Sequence, residues 1–275
     1  MRIVGKGKAN ILVALEEEAI LYRICIRFSN SLLKGNEYTL KNYQYIYQKV
    51  EPLLGDLLCN FSLSELQLTP KLQQLLHDYV SGSTCNNKVF AFSMPNFKSA
   101  SMYPLVLFSD HFTSLYSNVQ HTKLVLEMKP KWLYNPTRYC RNCTANRFKG
   151  RDDMSYCYSK LLRDSEHLFH VIGSHTLPRW LVLRMCQYFR TRDNVLQVLH
   201  DIQKKLYCKG DMIDLPLLMT LRDVTCFVSW DFSQSDAASD VNIVDVDLKP
   251  EEKRDFWNKT QMELDSFENK CYHDY

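Results

Sequence analysis

Apolar and polar positions alternate in the first stretches of the chain, and the period then lengthens. Residues 2–4 form a short candidate strand that runs into Gly5-Lys6-Gly7-Lys8-Ala9-Asn10. Residues 11–15 and 20–28 follow as a hairpin, with Glu16, Glu17 and Glu18 as a solvated turn. Residues 38–58 carry the longer helical period, with Pro52 early in a new helix. Residues 70–79 form another helix, and Asn86-Asn87 precedes a strand over 89–92. Strands are expected at 105–108 and 124–128, and a polar loop over 138–153. Helices are expected at 161–172, 181–189 and 194–206. Two further strands, 224–230 and 242–246, flank a small-residue turn at 233–239. A charged amphipathic helix over 251–270 begins after Pro250. The pattern is α+β, strand-rich first and helix-richer later, and no internal repeat is visible.

Composition sets outer limits. The 275 residues are 45% hydrophobic, ample for one large domain or two lobes. No apolar run approaches the ~20 residues of a membrane span. Residues 1–5 lack the shape of a signal peptide. Ten scattered cysteines then point to reduced thiols in an intracellular protein.

Charge changes the picture because it is local. The chain carries a net +3, yet residues 123–151 hold eight basic residues against one acid, Glu127. So much like charge repels itself, and a compact anionic partner relieves the strain. Strand alternation puts Lys123, Val125, Glu127, Lys129 and Lys131 on one face, and Leu124, Leu126, Met128 and Pro130 on the other.

Other segments carry candidate chemistry. The Gly5–Asn10 turn is not a P-loop, since no GK[ST] follows; a glycine-rich turn between strands can instead cover ATP phosphates or be a plain hairpin turn. Asp245, Asp247 and Lys249 share one face of a strand-like run; its paired carboxylates either suit Mg²⁺ or form a plain exposed edge. Asp223 enters an apolar run after Arg222, so it is either functional or paired with that arginine. Two antiparallel strands would bring Asp223 and Asp245 together, one orienting an alcohol and one holding metal. Cys140-Arg141-Asn142-Cys143 is a lone CxxC. Cys157, His167 and His170 are the residues that could complete a zinc site there, but no second CxxC or HxxxH lies nearby, so zinc is doubtful.

Taken in order, Gly5–Asn10, Glu127-Met128-Lys129-Pro130-Lys131-Trp132, Arg141 with Lys149, Met219-Thr220-Leu221-Arg222-Asp223 and Val244-Asp245-Val246-Asp247-Leu248-Lys249-Pro250 resemble the inositol-pentakisphosphate 2-kinases, short fungal members above all. The resemblance implies a two-lobed, protein-kinase-related α+β fold with ATP in the cleft. It divides the chain into an N-terminal lobe, 1–110, and a C-terminal lobe, 111–275. It implies transfer of the γ-phosphate of ATP to the 2-hydroxyl of inositol 1,3,4,5,6-pentakisphosphate, giving the hexakisphosphate, phytate.

The roles it implies are these. Gly5, Lys6, Gly7, Lys8, Ala9, Asn10 and Arg23 contact ATP, with Lys129 and Asp245. Lys129 and Asp223 are catalytic. Lys131, Arg141, Lys149, Lys249, Lys253 and Trp257 bind the inositol phosphate, the last three at intervals of four on one helical face. Asp245 and Asp247 hold Mg²⁺. The adenine contact falls near residues 107–110. Three departures stand out. A family histidine four residues after Arg141 is here Ala145, and only Ser155-Tyr156-Cys157 falls near an asparagine-containing substrate segment. The stretch that carries zinc in plant members offers only His175, Cys186 and His200. The resemblance also implies a nuclear location, with a cytoplasmic pool open; a monomer is expected, with neither membrane nor nucleic acid as partner. Two rival readings remain: a non-catalytic inositol-polyphosphate or phospholipid-headgroup module, and an RNA-binding protein that uses Trp132, Tyr134 and Tyr139 beside the basic residues.

Overall fold

The computed structural model describes residues 1–15, 19–29, 31–80, 87–151, 156–173, 175–208, 210 and 213–273. The expected turn at Glu16–Glu18, Asn86 before the fifth strand, and Ser155 lie outside the described residues. The chain divides into two compact units, Met1–Ser99 and Ala100–Tyr275. The strand over 105–109 therefore belongs with the second unit, although the boundary expected at 110 grouped it with the first.

The first unit is an antiparallel five-stranded sheet. Its strands are β1 (Arg2–Lys6), β2 (Asn10–Ala14), β3 (Ile20–Cys25), β4 (Ser62–Gln67) and β5 (Lys88–Pro95), in the order β1-β2-β3-β5-β4. The expected hairpin is β2–β3, with Leu12 opposite Arg23. Helix α1 (Leu32–Tyr45) starts earlier than the periodicity suggested, because the Ser31 side chain accepts from the Lys34 N–H. The chain then widens into a π turn at Ile46–Val50 before α2 (Glu51–Leu54), which has Pro52 in its first turn. Helix α3 (Pro70–Leu76) is capped by Thr69. Ile11, Val13, Ile24 and Ala91 on one sheet face, with Leu72 and Leu76 of α3, form the core of this unit. Strand β4 has too little apolar content to stand out in the sequence; pairing with β5 along its whole length defines it.

The second unit holds a sheet of its own, ordered β10-β9-β8-β7-β6 and antiparallel throughout. The strands are β6 (Leu105–Ser109), β7 (Thr113–Ser117), β8 (Lys123–Met128), β9 (Thr225–Asp231) and β10 (Ala238–Val244). The central strand β8 departs from the expected two-faced pattern: Val125 is fully buried with Leu124, Leu126 and Met128. Only the middle of the strand is covered on both faces; Lys123 and Glu127, nearer its ends, stay half-buried.

Helices α4 (Arg141–Phe148), α5 (Tyr158–Leu161), α6 (Leu168–Val171), α7 (Arg179–Arg190), α8 (Val195–Tyr207), α9 (Leu215–Leu221) and α10 (Arg254–Ser266) complete this unit. The helix expected at 161–172 is instead α5 and α6, separated by a break and a single tight turn at Ser165–His167, and two further helices correct the sequence reading. Helix α4 lies where a loop was expected. Its polar residues carry no helical stripe, and its first N–H is instead satisfied by the Asn135 side chain (2.9 Å), while buried Thr144 accepts from the Cys271 N–H (3.0 Å). Helix α9 was not foreseen, although Asp214 before Pro216 is a start signal: its carboxylate accepts from the Leu217 N–H. No helix among the described residues is long and apolar enough to cross a membrane.

Candidate active site

In the first unit the glycine-rich turn closes on itself, with the Gly7 N–H donating to the Asn10 carbonyl (2.8 Å). Neither Gly5 nor Gly7 occupies the left-handed region, and a Cβ on Gly7 would make only ordinary contact with the Asn10 carbonyl. A Cβ on Gly5 would meet Leu12 Cδ1 at 3.2 Å. Lys6, Gly7 and Lys8 line a shallow groove with Ile26, Asp78 and Tyr79, and the Lys6 ammonium sits 4.6 Å from the Tyr79 ring centre. The Ala9 carbonyl accepts from the Ile26 N–H, which fixes the turn to the end of the hairpin. Arg23 lies mid-strand between Leu12 and Phe92 and is 7% exposed. Strand alternation puts it on the sheet face opposite Ile24 and the apolar core.

In the second unit the segment after β8 is bent, not extended. The Lys129 N–H still donates to the Phe112 carbonyl (2.8 Å), but Lys131 has φ of 58°. Lys131 therefore does not continue the strand face that alternation assigned to it. Two side-chain amides, buried Gln203 and half-buried Asn142, hold this bend. Gln203, 0% exposed on α8, accepts from the Leu133 and Tyr134 N–H groups (2.9 and 3.2 Å). Its Nε2 donates to the carbonyls of Lys131 and Leu221, both at 3.0 Å. Asn142 donates to the carbonyls of Pro130 and Trp132. Gln203 thus ties the backbone of Lys131 to the segment that delivers Asp223.

Asp223 is not the buried partner of Arg222. It is exposed, and it accepts from Lys131 Nζ (2.5 Å) and Lys249 Nζ (2.6 Å). Partial burial raises its pKa, but Lys249 and Lys131 outweigh this and hold the carboxyl below its ordinary range. The register Val244–Thr225 puts Asp245 just beyond β10 at the same end of the strand pair. Here too alternation fails. Strand β10 stops at Val244, Asp245 turns to φ of 61° with Oδ2 accepting from Thr225 Oγ1 (2.6 Å), and Asp247 is 7% exposed. Lys249 precedes the helical turn at Glu251–Lys253, so it does not share a helix face with Lys253 and Trp257 as the spacing suggested. Lys253 is exposed and Trp257 half-buried at the start of α10.

The cations converge. Lys149 has its pKa lowered by burial first, then by Arg151, Arg141 and Lys131. His111 is lowered by burial and then by Arg151, Lys129 and Lys131. Gly150 arranges part of this cluster. It ends α4 at φ of 65°, its N–H donates to the Arg147 carbonyl, and the Arg151 N–H reaches back to Asn146 (2.9 Å). That Schellman closure turns Lys149 and Arg151 back along the helix. Arg141 donates from Nε to Gln261 of α10 (2.8 Å), and burial pushes its pKa down to about 10.

The guanidinium of Arg141 lies 3.5 Å from the Trp132 ring centre and that of Arg222 lies 3.4 Å from it. Two planar groups that close to one centroid must occupy opposite faces. Arg222 is 2% exposed, and its Nε and Nη2 have no hydrogen-bond partner among the described residues. Burial, then the charge of Arg141, pushes its pKa down to about 9, and the Trp132 face offsets part of that cost.

No family model matches the chain. Full-length relatives do. The chain is 39% identical to the inositol-pentakisphosphate 2-kinase of Saccharomyces cerevisiae, with 99% of each covered. It is 36% identical to that of Candida glabrata over 98% of this chain and 100% of the relative. It is 33% identical to that of Eremothecium gossypii over 99% and 100%. The chain belongs to the inositol-pentakisphosphate 2-kinase family.

For a member of this family, the sequence missed Arg222, Gln203 and Asn142. Arg222 was weighed only as a partner for Asp223, and a buried amide bonding to backbone leaves no spacing signal. Trp132, Tyr134 and Tyr139 are not free platforms for nucleic-acid bases. Trp132 is covered on both faces, Tyr139 donates to Asp265 (2.6 Å), and Tyr134 packs on His200 and Tyr207. The segment placed near the family's asparagines carries structural groups instead. The Tyr156 hydroxyl donates to Asp110, whose carboxylate also accepts from the Phe112 and Thr113 N–H groups.

Proposed function

We propose that this protein transfers the γ-phosphate of ATP to the 2-hydroxyl of inositol 1,3,4,5,6-pentakisphosphate, giving the hexakisphosphate. The observation that carries the reading is Asp223 held between Lys131 and Lys249 beside the Arg141–Lys149–Arg151 cations, in a chain of this family. A polyphosphate needs that positive field, whereas a lone carboxylate inside it serves no binding purpose. An ammonium has three donors, so Lys131 and Lys249 can each bond Asp223 and still reach phosphate oxygens. A phosphorylated ring held this way presents a hydroxyl to Asp223. The depressed pKa keeps the carboxylate ionised, fit to orient that hydroxyl. This favours the kinase over a non-catalytic binding module. The choice of the 2-hydroxyl rests on the family.

The two-lobed, kinase-related reading of the fold, with ATP in the cleft, belongs to this proposal. So do the roles of Gly5–Asn10 and Arg23 toward the nucleotide and of Lys129 toward the transferred phosphate. Asp245 and Asp247 offer the hard oxygen donors that Mg²⁺ takes, the remaining positions falling to water and ATP phosphates. When bound, Mg²⁺ neutralises charge on those phosphates. The test is incubation of the purified protein with inositol pentakisphosphate, ATP and Mg²⁺, with product resolved by anion-exchange chromatography and ³¹P NMR. Formation of hexakisphosphate is expected. A folded, nucleotide-binding protein that makes none overturns the proposal.

A further inference from the structure

Arg222 stands apart from the other cations around the acceptor site. It is 2% exposed, whereas Lys131 and Arg141 are half-buried and Lys149 is exposed. Its Nε and Nη2 have no hydrogen-bond partner among the described residues. A guanidinium carries a fork of N–H donors and a permanent charge, and burying both without a partner is costly. Aromatic rings, not acids, surround it. The Trp132 ring centre lies 3.4 Å away and that of Tyr207 5.9 Å away. The next residue, Asp223, is engaged by Lys131 and Lys249. The strongest charge acting on Arg222 is Arg141, which opposes it.

The backbone around Arg222 is fixed. Its N–H closes α9 on the Leu218 carbonyl (3.1 Å), and Gln203 holds the Leu221 carbonyl (3.0 Å). Thr220 Oγ1 donates to the Asp247 carbonyl (2.8 Å). Trp132 is held in turn, its N–H donating to Asn142 (3.2 Å). Across the indole stands Arg141, whose Nε donates to Gln261 (2.8 Å).

We propose that Arg222 is a reserve charge whose counter-ion is the inositol polyphosphate bound on the Arg141 side of Trp132. The proposal rests on the polyphosphate reading of that site. With the site empty, Arg141 and Arg222 repel each other across the ring. A polyanion against Lys131, Arg141 and Lys149 reverses the local field. The indole admits no water, so the new attraction is screened little. Arg222 then strengthens binding without touching the ligand. This reverses the usual expectation for a buried residue: its removal stabilises the free protein and weakens the complex. Replacing a buried, unpaired ion by an apolar group of similar size removes its desolvation cost, and a methionine sulfur can lie against the indole.

Arg222→Met tests this, with binding of inositol pentakisphosphate followed by calorimetry in the absence of ATP. The free variant should melt a few degrees above the parent, and its Kd should rise about tenfold or more. Arg222→Lys restores a charge without the planar stack and should recover much of that affinity. Arg192→Met removes an equal charge at an exposed position and should leave Tm and Kd unchanged. The affinity ratio of parent to Arg222→Met should persist as salt is raised, whereas the loss in Lys253→Ala, at an exposed position, should shrink. A methionine variant that unfolds or melts below the parent makes Arg222 a structural brace and overturns the proposal. So does an unchanged Kd, a lysine variant as weak as the methionine one, or a parent chain that binds no inositol pentakisphosphate. A parent that binds in the expected pattern yet transfers no phosphate refutes the kinase reading and upholds the reserve charge.

Discussion

Gln203→Leu probes the joint that positions the two halves of the acceptor site. The substitution keeps much of the side-chain volume but removes four hydrogen bonds, to the N–H groups of Leu133 and Tyr134 and the carbonyls of Lys131 and Leu221. Each intramolecular hydrogen bond contributes about 0.5–1.5 kcal/mol net, and a buried group left unpaired costs about 1–3 kcal/mol. Gln203 is fully buried, so water replaces few of these bonds. Taking ~1 kcal/mol for each, the loss is about 4 kcal/mol, a large share of an ordinary folding free energy. The second effect is on chemistry. Lys131 at φ of 58° and the Leu221–Asp223 segment lose their common anchor, and misplacement by ~1 Å can cost ~10² in rate. Urea unfolding followed by tryptophan fluorescence reads the first effect, and steady-state kinetics with inositol pentakisphosphate reads the second. A variant within ~1 kcal/mol of the parent, with unchanged kcat, would refute the claim that Gln203 sets the geometry.

Lys129→Ala and Asp245→Ala should each lower turnover by ~10² or more, as loss of transition-state electrostatics does elsewhere; near-parental rates in a phosphate-transfer assay would undo these role assignments. Lys131→Ala should raise KM for the inositol phosphate more than for ATP, and an effect confined to ATP would contradict its place beside Asp223. The depressed pKa of Asp223 predicts a pH dependence of stability. Its pairing with Lys249 and Lys131 contributes fully above the unfolded carboxyl value, about 4, and is lost as pH falls through the lower folded value. Denaturation from pH 6 to pH 2 should show an acid-side slope that shrinks in Asp223→Asn, and identical profiles would contradict the pairing. Gly150→Ala forces a side chain into the left-handed region at φ of 65°, for about 1–2 kcal/mol. Calorimetry should find a lower Tm, and binding of inositol pentakisphosphate should weaken as Lys149 and Arg151 shift; an unchanged Tm would mean that the turn relaxes.

By itself the sequence determined the α+β class, most of the strands and longer helices, and the basic segment 123–151. These were legible because burial imposes a period on apolar residues, and because like charges close in sequence announce an anionic partner. Alternation misled where the chain leaves the strand. Lys131 and Asp245 both occupy the left-handed region, which periodicity cannot register, and Asp247 turns inward. Helix α4 was hidden because its stability comes from Asn135, Thr144 and the C-terminal tail, not from an apolar stripe. Tertiary structure also decided the partners. Asp223 met two lysines ninety-two and twenty-six residues away, Arg222 stacked on Trp132, and Cys143 of the CxxC met His273, 130 residues on. Such pairings depend on how strands and helices close on one another, and a linear spacing carries no record of that closure.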